Sequence, residues 1–412
     1  LCLATISCKK ESVTFSNIIN LKNSPAYPNE KGLNAFFDLG SWMGFSLSDD
    51  KTTTGFSGPY ILGLEHGIWA SNNFTSLDLI SENGNSLLTN LNYSEQEYFP
   101  GKLENQLHFE DIHIVSNLIF TSDKSLIIST TITNNGNQNL TFTPQWKGEI
   151  FHQIGRLINN DTHLITLMDN KQKIYLSPVS DEMFKIHSDS NKYTISLNNI
   201  ILKPKGTKTY SIEIQYHPNQ KKLQKPISKT DVSQATKDNQ LRWDKYLEIT
   251  KTNSLSEEEK LILTKSICTL INNWKSAAGA LKHDGLFPSY HYKWFQGFWS
   301  WDSWKHAVAL VKIDVELAKN QVRAMYDYQN KDGMIADCIF RDTTIEKHNW
   351  RDTKPPLSSW AIWEIYKKTQ DTTFLNEMYP KLVKYHNWWY VFRDYDKDGL
   401  CEYGSTDGSL IA

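Results

Sequence analysis

Residues 290–307 form the part of the sequence whose side-chain types and spacing are best suited to chemistry. Asp302 lies here among Trp299, Trp301 and Trp304. Sugars combine apolar C–H faces with hydroxyl edges, so a site that binds them needs flat aromatic rings beside fixed hydrogen-bonding groups. The stretch therefore predicts a carbohydrate site. Its expected substrate contacts are Tyr290, Trp299, Trp301, Trp304, Lys305 and His306.

Asp302 itself has two explanations. A carboxyl group among indole rings loses contact with water, which disfavours the charged form and raises its pKa toward the range of a general acid. Alternatively, Asp302 caps a helix that begins at Ser303. Spacing alone does not decide between them. The roles of Lys305 and His306 are also undecided, because both residues fall inside the following helix, whose outer face is normally charged.

A second stretch, NWRDTKPPL at residues 349–357, offers further ligand-binding groups. Arg351 and Lys354 are fixed donors for sugar hydroxyls, and Trp350 is a flat stacking surface. The alternative is a helix-entry turn in which Pro355 and Pro356 start the next helix and the charges are solvated. We favour substrate binding for Arg351 and Lys354.

Residues 394–402 carry an Asp-x-Asp-x-Asp-Gly loop. Carboxylates at alternate positions, followed by a glycine that permits a sharp turn, form a half-ring of oxygen ligands for Ca²⁺. The alternative is an acidic, solvated turn, which we consider weaker because three close like charges repel without a cation. The loop is not a complete EF-hand, since its twelfth position is Ser405. The predicted ligands of this structural calcium ion are Asp394, Asp396, Asp398, the carbonyl of Leu400 and Glu402.

The run GFWSWDSWKHA, residues 297–307, resembles the sequence around the general acid of bacterial α-glucosidases of glycoside hydrolase family 63, which also includes mannosyl-oligosaccharide glucosidases. DGMIAD, at residues 332–337, and the 349–357 stretch are similar to loops at the mouth of that family's barrel. The resemblance is close over residues 284–408. It implies inverting hydrolysis of α-glucosidic bonds in oligosaccharides, with Asp302 as the general acid. Members of the family also hold calcium near the catalytic domain.

The elements that must position these residues differ between the two halves of the chain. Residues 12–221 alternate apolar and polar side chains, as in Tyr210, Ile212, Ile214 and Tyr216, which predicts an antiparallel β-sandwich. Asn135-Gly136 has the composition of a hairpin turn. Residues 222–253 suit a helical linker between domains. Residues 254–412 show helical periodicity, starting with a capping box at Ser256 and Glu259, and predict about five helices with Trp274, Trp360 and Trp363 in the core.

The resemblance implies a β-sandwich followed by an (α/α)6 barrel of twelve helices. With about five helices, we expect a partial barrel and a chain truncated at Ala412. The family's catalytic base is a glutamate late in the barrel, so we expect the base to lie beyond the chain and this fragment alone to be inactive. The alternatives are a non-catalytic carbohydrate-binding protein, or one half of a split glycosidase whose base arrives on a partner chain.

Composition excludes several classes of partner. The length of 412 residues suits two domains. The 44 basic and 46 acidic residues are interspersed and give a net charge of -2, which argues against nucleic acid or acidic membranes as binding partners. Residues 1–11 resemble the end of a secretion signal and a tether, with Cys8 as a possible acylation site of a lipoprotein in the bacterial periplasm or cell envelope. Membrane contact is expected only through that lipid. Cys268, Cys338 and Cys401 lack metal-ligand spacing and are expected to be small buried hydrophobes.

Overall fold

The computed structural model describes residues 15–31, 34–62, 67–168, 172–218 and 227–405. The predicted signal remnant and the acylation site at Cys8 lie outside these ranges and stay predictions. Across the described ranges, no helix combines the length and apolar character needed to cross a membrane.

The first half of the chain is built from strands. In chain order these are β1 (Met43–Ser46), β2 (Ser57–Ile61), β3 (Ile68–Trp69), β4 (Ser76–Ile80), β5 (Leu91–Phe99), β6 (Lys102–Phe109), β7 (Ile112–Phe120), β8 (Ser125–Asn134), β9 (Leu140–Glu149), β10 (Gly155–Asn159), β11 (Leu164–Met168), β12 (Gln172–Val179), β13 (Lys185–Ser188), β14 (Lys192–Ser196), β15 (Ile200–Leu202) and β16 (Thr207–His217).

These strands form three antiparallel sheets. The largest has eight strands in the order β10-β11-β12-β16-β8-β7-β6-β5, the second contains β13, β14, β9, β15 and β4, and the third contains β1, β2 and β3. Trp146 of the second sheet packs edge-on against Tyr210 of the first, with ring centres 6.2 Å apart. Tyr210, Ile212, Ile214 and Tyr216 are all buried as the alternation predicts, but so are the alternate residues Ser211, Glu213, Gln215 and His217, so both faces of this part of β16 are covered. Antiparallel sheets followed by helices confirm the predicted fold class.

The expected hairpin at Asn135-Gly136 is wrong, because this turn joins two different sheets. The strand before it, β8, pairs with β7 and β16, whereas β9 after it pairs with β14, β15 and β4. The amide of Asn134 donates to the carbonyls of Gln138 and Leu202, at 2.8 and 3.0 Å. These side-chain bonds turn the chain away from its own sheet, which local composition did not reveal.

The second half is mainly helical. It contains α1 (Lys229–Tyr246), α2 (Glu257–Asn273), α3 (Ser300–Leu310), α4 (Val315–Tyr326), α5 (Ser358–Thr369) and α6 (Thr372–Phe392), with short strands β17 (Trp274–Lys275), β18 (Gly285–Leu286), β19 (Phe298–Trp299) and β20 (Cys338–Ile339). The capping box that starts α2 is confirmed: Ser256 Oγ accepts the N–H of Glu259, and the Glu259 carboxylate accepts the N–H of Ser256. Each half of the box satisfies an amide that the first helical turn leaves unpaired.

The predicted linker contains α1, which packs against the β-rich half. Arg242 binds the Asp38 carboxylate with two hydrogen bonds of 2.8 and 2.6 Å, and Trp243 Nε1 adds a third at 2.9 Å. Gly101 has a positive φ of 89°, and a Cβ there would lie 2.2 Å from the Trp243 ring. Only glycine therefore allows this close approach of helix and sheet. The helix is fixed to the sandwich rather than free.

The helical half also contacts the segment around Asp38. The amide of Asn272 donates to the carbonyl of Ala35 at 3.1 Å and its oxygen accepts the N–H of Phe37 at 2.7 Å. Lys275 is fully buried, with Nζ 4.0 Å from the centre of the Phe37 ring and 2.9 Å from the carbonyl of Trp274. Burial holds the pKa of Lys275 well below its ordinary value, although Asp38 acts in the opposite direction.

The expectation that Trp360 and Trp363 belong to the core is wrong. Their side chains are 42% and 53% exposed, and Trp274 is only partly buried. The buried face of α5 consists of Ser358, Ala361, Ile362 and Ile365. Helical periodicity predicts that one face is buried, but the neighbouring helices α3, α4 and α6 determine which face it is.

Candidate active site

Three segments that lie apart in the sequence meet at the start of α3. Strand β19 pairs with β20, so that Trp299 lies opposite Cys338. The N–H of Ser300 donates to the carbonyl of Asp337 at 2.9 Å. Asn349 completes the contact, since its carbonyl accepts the N–H of Asp337 at 2.6 Å and its N–H donates to the carbonyl of Cys338 at 3.0 Å. The structure thus brings together the three motifs that resemble family 63.

Gly297 makes this meeting of segments possible. A Cβ at this position would lie 2.8 Å from the Cys338 sulfur and 2.8 Å from the carbonyl oxygen of Ile339. Such distances are too short for any side chain larger than hydrogen. The glycine that opens the GFWSWD motif therefore has a structural role, because it lets β19 lie close against β20.

Asp302 is the third residue of α3 and is partly buried. The helix begins at Ser300 with Trp299 as its cap residue and has no side-chain capping bond, so the alternative in which Asp302 caps a helix beginning at Ser303 is wrong. Burial raises the pKa of Asp302 above its usual range, while Lys305, its own backbone N–H and Lys354 act in the opposite direction. Desolvation outweighs these groups, which is the balance that a general acid needs.

Two of the three expected tryptophan rings are accessible near Asp302. Trp301 is 43% exposed, and Nζ of Lys305 lies 3.8 Å from the centre of its ring. Trp299 is partly buried and donates from Nε1 to the carbonyl of Trp294 at 2.9 Å. These contacts fix the orientation of both indoles, so each can present a stable flat surface to a ligand.

Direct substrate contact by Trp304 and Tyr290 is contradicted. Trp304 has no exposed surface, because it lies on the buried face of α3 with Ala307 and packs 5.9 Å from the Tyr326 ring. Tyr290 is 2% exposed, and its hydroxyl donates to the carbonyl of Ala35 at 2.8 Å. Both residues are aromatic and close to Asp302 in sequence, but they stabilise the fold rather than line a cleft.

His306 and Lys305 occupy different environments on α3. The Nδ1 atom of His306 is enclosed and has no hydrogen-bond partner among the residues described. Burial, with Lys305 as a secondary cause, lowers the pKa of His306 to about 4, so the ring is neutral near pH 7. Lys305 is exposed and lies over Trp301. Of the two, Lys305 is therefore the one placed to meet a ligand.

The 349–357 stretch contributes three residues whose side chains differ in exposure and in how firmly their partners hold them. Trp350 is partly buried, and its Nε1 donates to the carbonyl of Tyr328 at 3.1 Å. The Arg351 side chain is 55% exposed and pairs with Asp352 at 3.1 Å. The Lys354 side chain is only 13% exposed and forms an ion pair of 3.5 Å with Asp337. Lys354 is therefore the most firmly held of the expected donors.

Sequence reasoning missed a role for Asp337. Its motif was recognised, but no function was attached to this residue. Asp337 is 1% exposed, and burial raises its pKa to about 6 although Lys354 acts in the opposite direction. The feature of the sequence that could have indicated a buried carboxyl here is an acidic residue between Ala336 and Cys338, in a short segment whose other side chains are small and apolar.

The 394–402 loop has a geometry that fits a cation. One carboxylate oxygen from each of Asp394, Asp396 and Asp398 lies within 4.8 Å of the others. Ligands 2.3–2.6 Å from one Ca²⁺ ion are at most about 5.2 Å apart, so the three oxygens could share an ion. In addition, Asp394 Oδ1 is buried without a hydrogen-bond partner in the described structure. The residues present therefore suit Ca²⁺.

Glu402 does not join this group of acidic side chains within the described ranges. Its Oε2 accepts the N–H of Tyr395 at 2.9 Å, so it closes the loop instead. Leu400 donates its own N–H to Asp398 at 2.7 Å, and its carbonyl stays a predicted ligand.

A pocket of about 470 Å³ lies between the start of α5, α6 and residues 401–403. Its lining includes Pro356, Tyr385, Trp389, Tyr390 and Tyr403. Pro356 belongs to the stretch that carries Lys354, so this α5–α6 groove borders the candidate site. None of the residues predicted to bind substrate lines it.

Comparison with known proteins places both halves of the chain. Residues 295–409 match the mannosylglycerate hydrolase MGH1-like glycoside hydrolase domain. The mannosylglycerate hydrolase of Thermus thermophilus is 27% identical over 156 residues, which cover 33% of this chain and 35% of that protein. An uncharacterized protein of Saccharomyces cerevisiae is 29% identical over 121 residues, or 27% of this chain and 10% of that protein. The chain thus spans between a tenth and about a third of these relatives.

A solved structure described as a kojibiose phosphorylase from the human microbiome covers 90% of this chain and 60% of its own, at 9% identity and a TM-score of 0.46. Residues 20–242 match the N-terminal domain of glucosidase YgjK, which is 223 of the 412 residues. The chain therefore belongs to the family defined by the glucosidase YgjK N-terminal domain, and residues 295–409 of its helical half are similar to the MGH1-like glycoside hydrolase domain.

Proposed function

We propose that the protein is an inverting glycoside hydrolase of the α-glucosidase type, which cleaves oligosaccharides with Asp302 as its general acid. The observation that carries this proposal is the partly buried Asp302 carboxyl, whose pKa burial raises although two lysines act against it. A general acid must be protonated when the substrate binds, and a raised pKa favours the protonated form. The similarity to glycoside hydrolase domains favours a sugar as the substrate.

The surroundings of Asp302 also suit the step after proton transfer. When the carboxyl gives its proton to the departing sugar oxygen, it becomes an anion on the first turn of α3. The positive end of the helix dipole stabilises an anion at this position. Lys305 and Lys354 act in the same direction. Burial therefore favours the protonated acid, and these positive charges stabilise the anion that develops during reaction.

Inversion requires a second carboxylate about 6.5–9.5 Å from the acid, which activates water on the opposite face of the sugar. We assign this role to no described residue. The inverting outcome is proposed from the resemblance to family 63, and ¹H NMR of the anomeric product during the first minutes of hydrolysis measures it. A product that keeps the anomeric configuration of the substrate would overturn this part of the proposal.

The acid assignment is tested by Asp302→Asn in the full-length protein, with Asp332→Asn as the matched control. Asp332 is exposed and lies in a neighbouring loop. We expect Asp302→Asn to lower kcat for α-glucosides about 10²- to 10⁴-fold, because protonation of the leaving group is lost. Wild-type activity should fall as pH rises through the pKa of Asp302, since the acid then loses its proton. Near wild-type turnover by a folded Asp302→Asn variant would contradict the assignment.

Mannosylglycerate is a second candidate substrate. The helical domain is similar to proteins named mannosylglycerate hydrolase, and Lys305 and Arg351 are exposed cations that could bind a carboxylate group. Comparing kcat/KM for mannosylglycerate and for α-glucosides decides between the two. Binding of both sugars without turnover would instead favour a carbohydrate-binding protein, or one half of a split enzyme.

We further propose that Asp394, Asp396 and Asp398, with the carbonyl of Leu400, hold a structural Ca²⁺ ion. The convergence of three carboxylates and the unpartnered Asp394 Oδ1 support this site. The ion would fix the loop that follows α6 and would take no part in the chemistry at Asp302.

A further inference from the structure

A group of large aromatic side chains is exposed close to the start of α3. Its members are each between 39% and 53% exposed, and they are Tyr292, Trp294, Phe295 and Trp301. Single exposed apolar residues are common on protein surfaces, whereas a contiguous group of them marks a binding surface. Trp301 is among the predicted substrate contacts. The other three lie in the loop before β19 and have no role in the site described so far.

Three rings form a continuous row from this loop to the candidate active site. The Tyr292 and Phe295 rings meet edge-on with their centres 5.4 Å apart, and the Phe295 and Trp299 rings are perpendicular with their centres 5.8 Å apart. Trp299 is the cap residue of α3, and Nζ of Lys354 lies 5.8 Å from the centre of its ring. We call Tyr292, Phe295 and Trp299 the aromatic strip.

The loop that carries the strip is held by hydrogen bonds. The N–H of Phe295 donates to the carbonyl of Tyr292 at 2.9 Å. The amide of Gln296 donates to the carbonyl of Tyr290 at 3.0 Å, and Tyr290 is itself buried. Rings that are already held in place lose little conformational freedom when a ligand binds. The strip is therefore preorganised for a flat, partly apolar ligand.

The composition of the strip favours a sugar over a packed helix as its partner. Its residues are all aromatic and lie on a loop and a short strand, whereas the exposed apolar side chains of α6 include Val383 and Val391. Mixed aliphatic and aromatic faces are typical of helices that pack on other elements. Aromatic rings beside a polar group, here the Lys354 ammonium, suit the apolar C–H faces and hydroxyl edges of sugars.

From these observations we propose that the aromatic strip binds further sugar units of an oligosaccharide whose cleaved bond lies at Asp302. This deepens the proposed function and rests on it. Phe295 and Tyr292 then set a preference for substrates of several units, because a small glycoside fills the candidate active site without reaching them.

Isothermal titration calorimetry on the full-length protein carrying Asp302→Asn measures this binding without turnover. The probes are glucose and glucose oligosaccharides of two, three and five units, with α-1,4 or α-1,3 linkages. We expect the affinity to rise with chain length for at least one linkage, because longer chains reach more of the strip.

Adding Phe295→Leu to this protein keeps the apolar bulk and removes the flat ring. It should lower the affinity for the pentasaccharide about 2- to 10-fold, the range for one contact of an aromatic ring. Tyr292→Ala should act in the same direction, and Phe295→Tyr, which keeps a ring, should retain the affinity. Tyr27→Ala is the matched control, since Tyr27 is about as exposed as Tyr292 but lies in the β-rich half, and it should leave binding unchanged.

An affinity that does not depend on chain length would overturn the inference, and so would Phe295→Leu protein that binds the pentasaccharide as tightly as its parent. If another part of the protein covers the strip, Phe295→Leu lowers the melting temperature and leaves the affinity unchanged, which also overturns it. Wild-type protein that hydrolyses glycosides but gains no affinity with length refutes the strip alone. Binding that depends on length and on Phe295, without any hydrolysis by wild type, refutes the proposed function and leaves sugar binding by the strip standing.

Discussion

Replacing Asp38 by alanine should weaken the junction between the sandwich and the helices. Asp38 is fully buried and binds Arg242 at 2.8 and 2.6 Å, Trp243 at 2.9 Å and the N–H of Leu39 at 2.7 Å. Its negative charge also faces the buried Lys275. Removing one partner of a buried ion pair costs about 3–5 kcal/mol, because the other charge is left buried and uncompensated. A loss of this size is a large fraction of the stability of a typical domain.

Urea denaturation followed by tryptophan fluorescence measures this loss, since Trp243 lies at the junction. The control is Asp181→Ala, which removes an exposed partner of Lys229 at the other end of α1. Surface pairs contribute little, so its unfolding midpoint should stay close to wild type. The double variant with Arg242→Ala should lose less stability than the two single losses added together, because it leaves one buried charge fewer. A midpoint for Asp38→Ala that matches Asp181→Ala would refute the reasoning.

The remaining predictions concern the tryptophans and the calcium site. Trp304→Ala should lower the free energy of unfolding by about 3–5 kcal/mol, because it leaves a cavity in the core. Trp301→Ala should weaken oligosaccharide binding measured by calorimetry and leave the free energy of unfolding nearly unchanged. Equal stability of the two variants would contradict the assigned positions of the two indoles. Adding Ca²⁺ to EDTA-treated protein should raise the melting temperature, with a stabilisation of about 2.7 kcal/mol at a free concentration near 100 Kd. Asp396→Asn should reduce this effect strongly, and a melting temperature insensitive to both EDTA and Ca²⁺ would count against the site.

Features determined by neighbouring residues in the sequence were predictable. The capping box at Ser256 and Glu259 depends on spacing within a single element, and it is confirmed. The meeting of the three motifs near Asp302 was predictable only from the family resemblance. A resemblance indicates which distant segments lie together in the fold, and composition does not.

Features determined by distant residues were not predictable. Trp304 and Trp301 lie in the same short run, but only the packing of Tyr326 shows which indole is buried. In the same way, a sequence shows Asp337 and Lys354 as two charges 17 positions apart, and only the backbone pairing of Cys338 with Asn349 brings their segments together. Tyr290 was misassigned for the same reason, because its partner Ala35 is 255 residues away.

The buried amine of Lys275 couples the junction between the two halves to proton uptake. In the closed arrangement, burial keeps its pKa well below the ordinary value, so it binds protons weakly. If the halves separate, the amine regains ordinary basicity and captures a proton from solution. Through this lysine, acid therefore lowers the stability of the junction and mild alkali raises it.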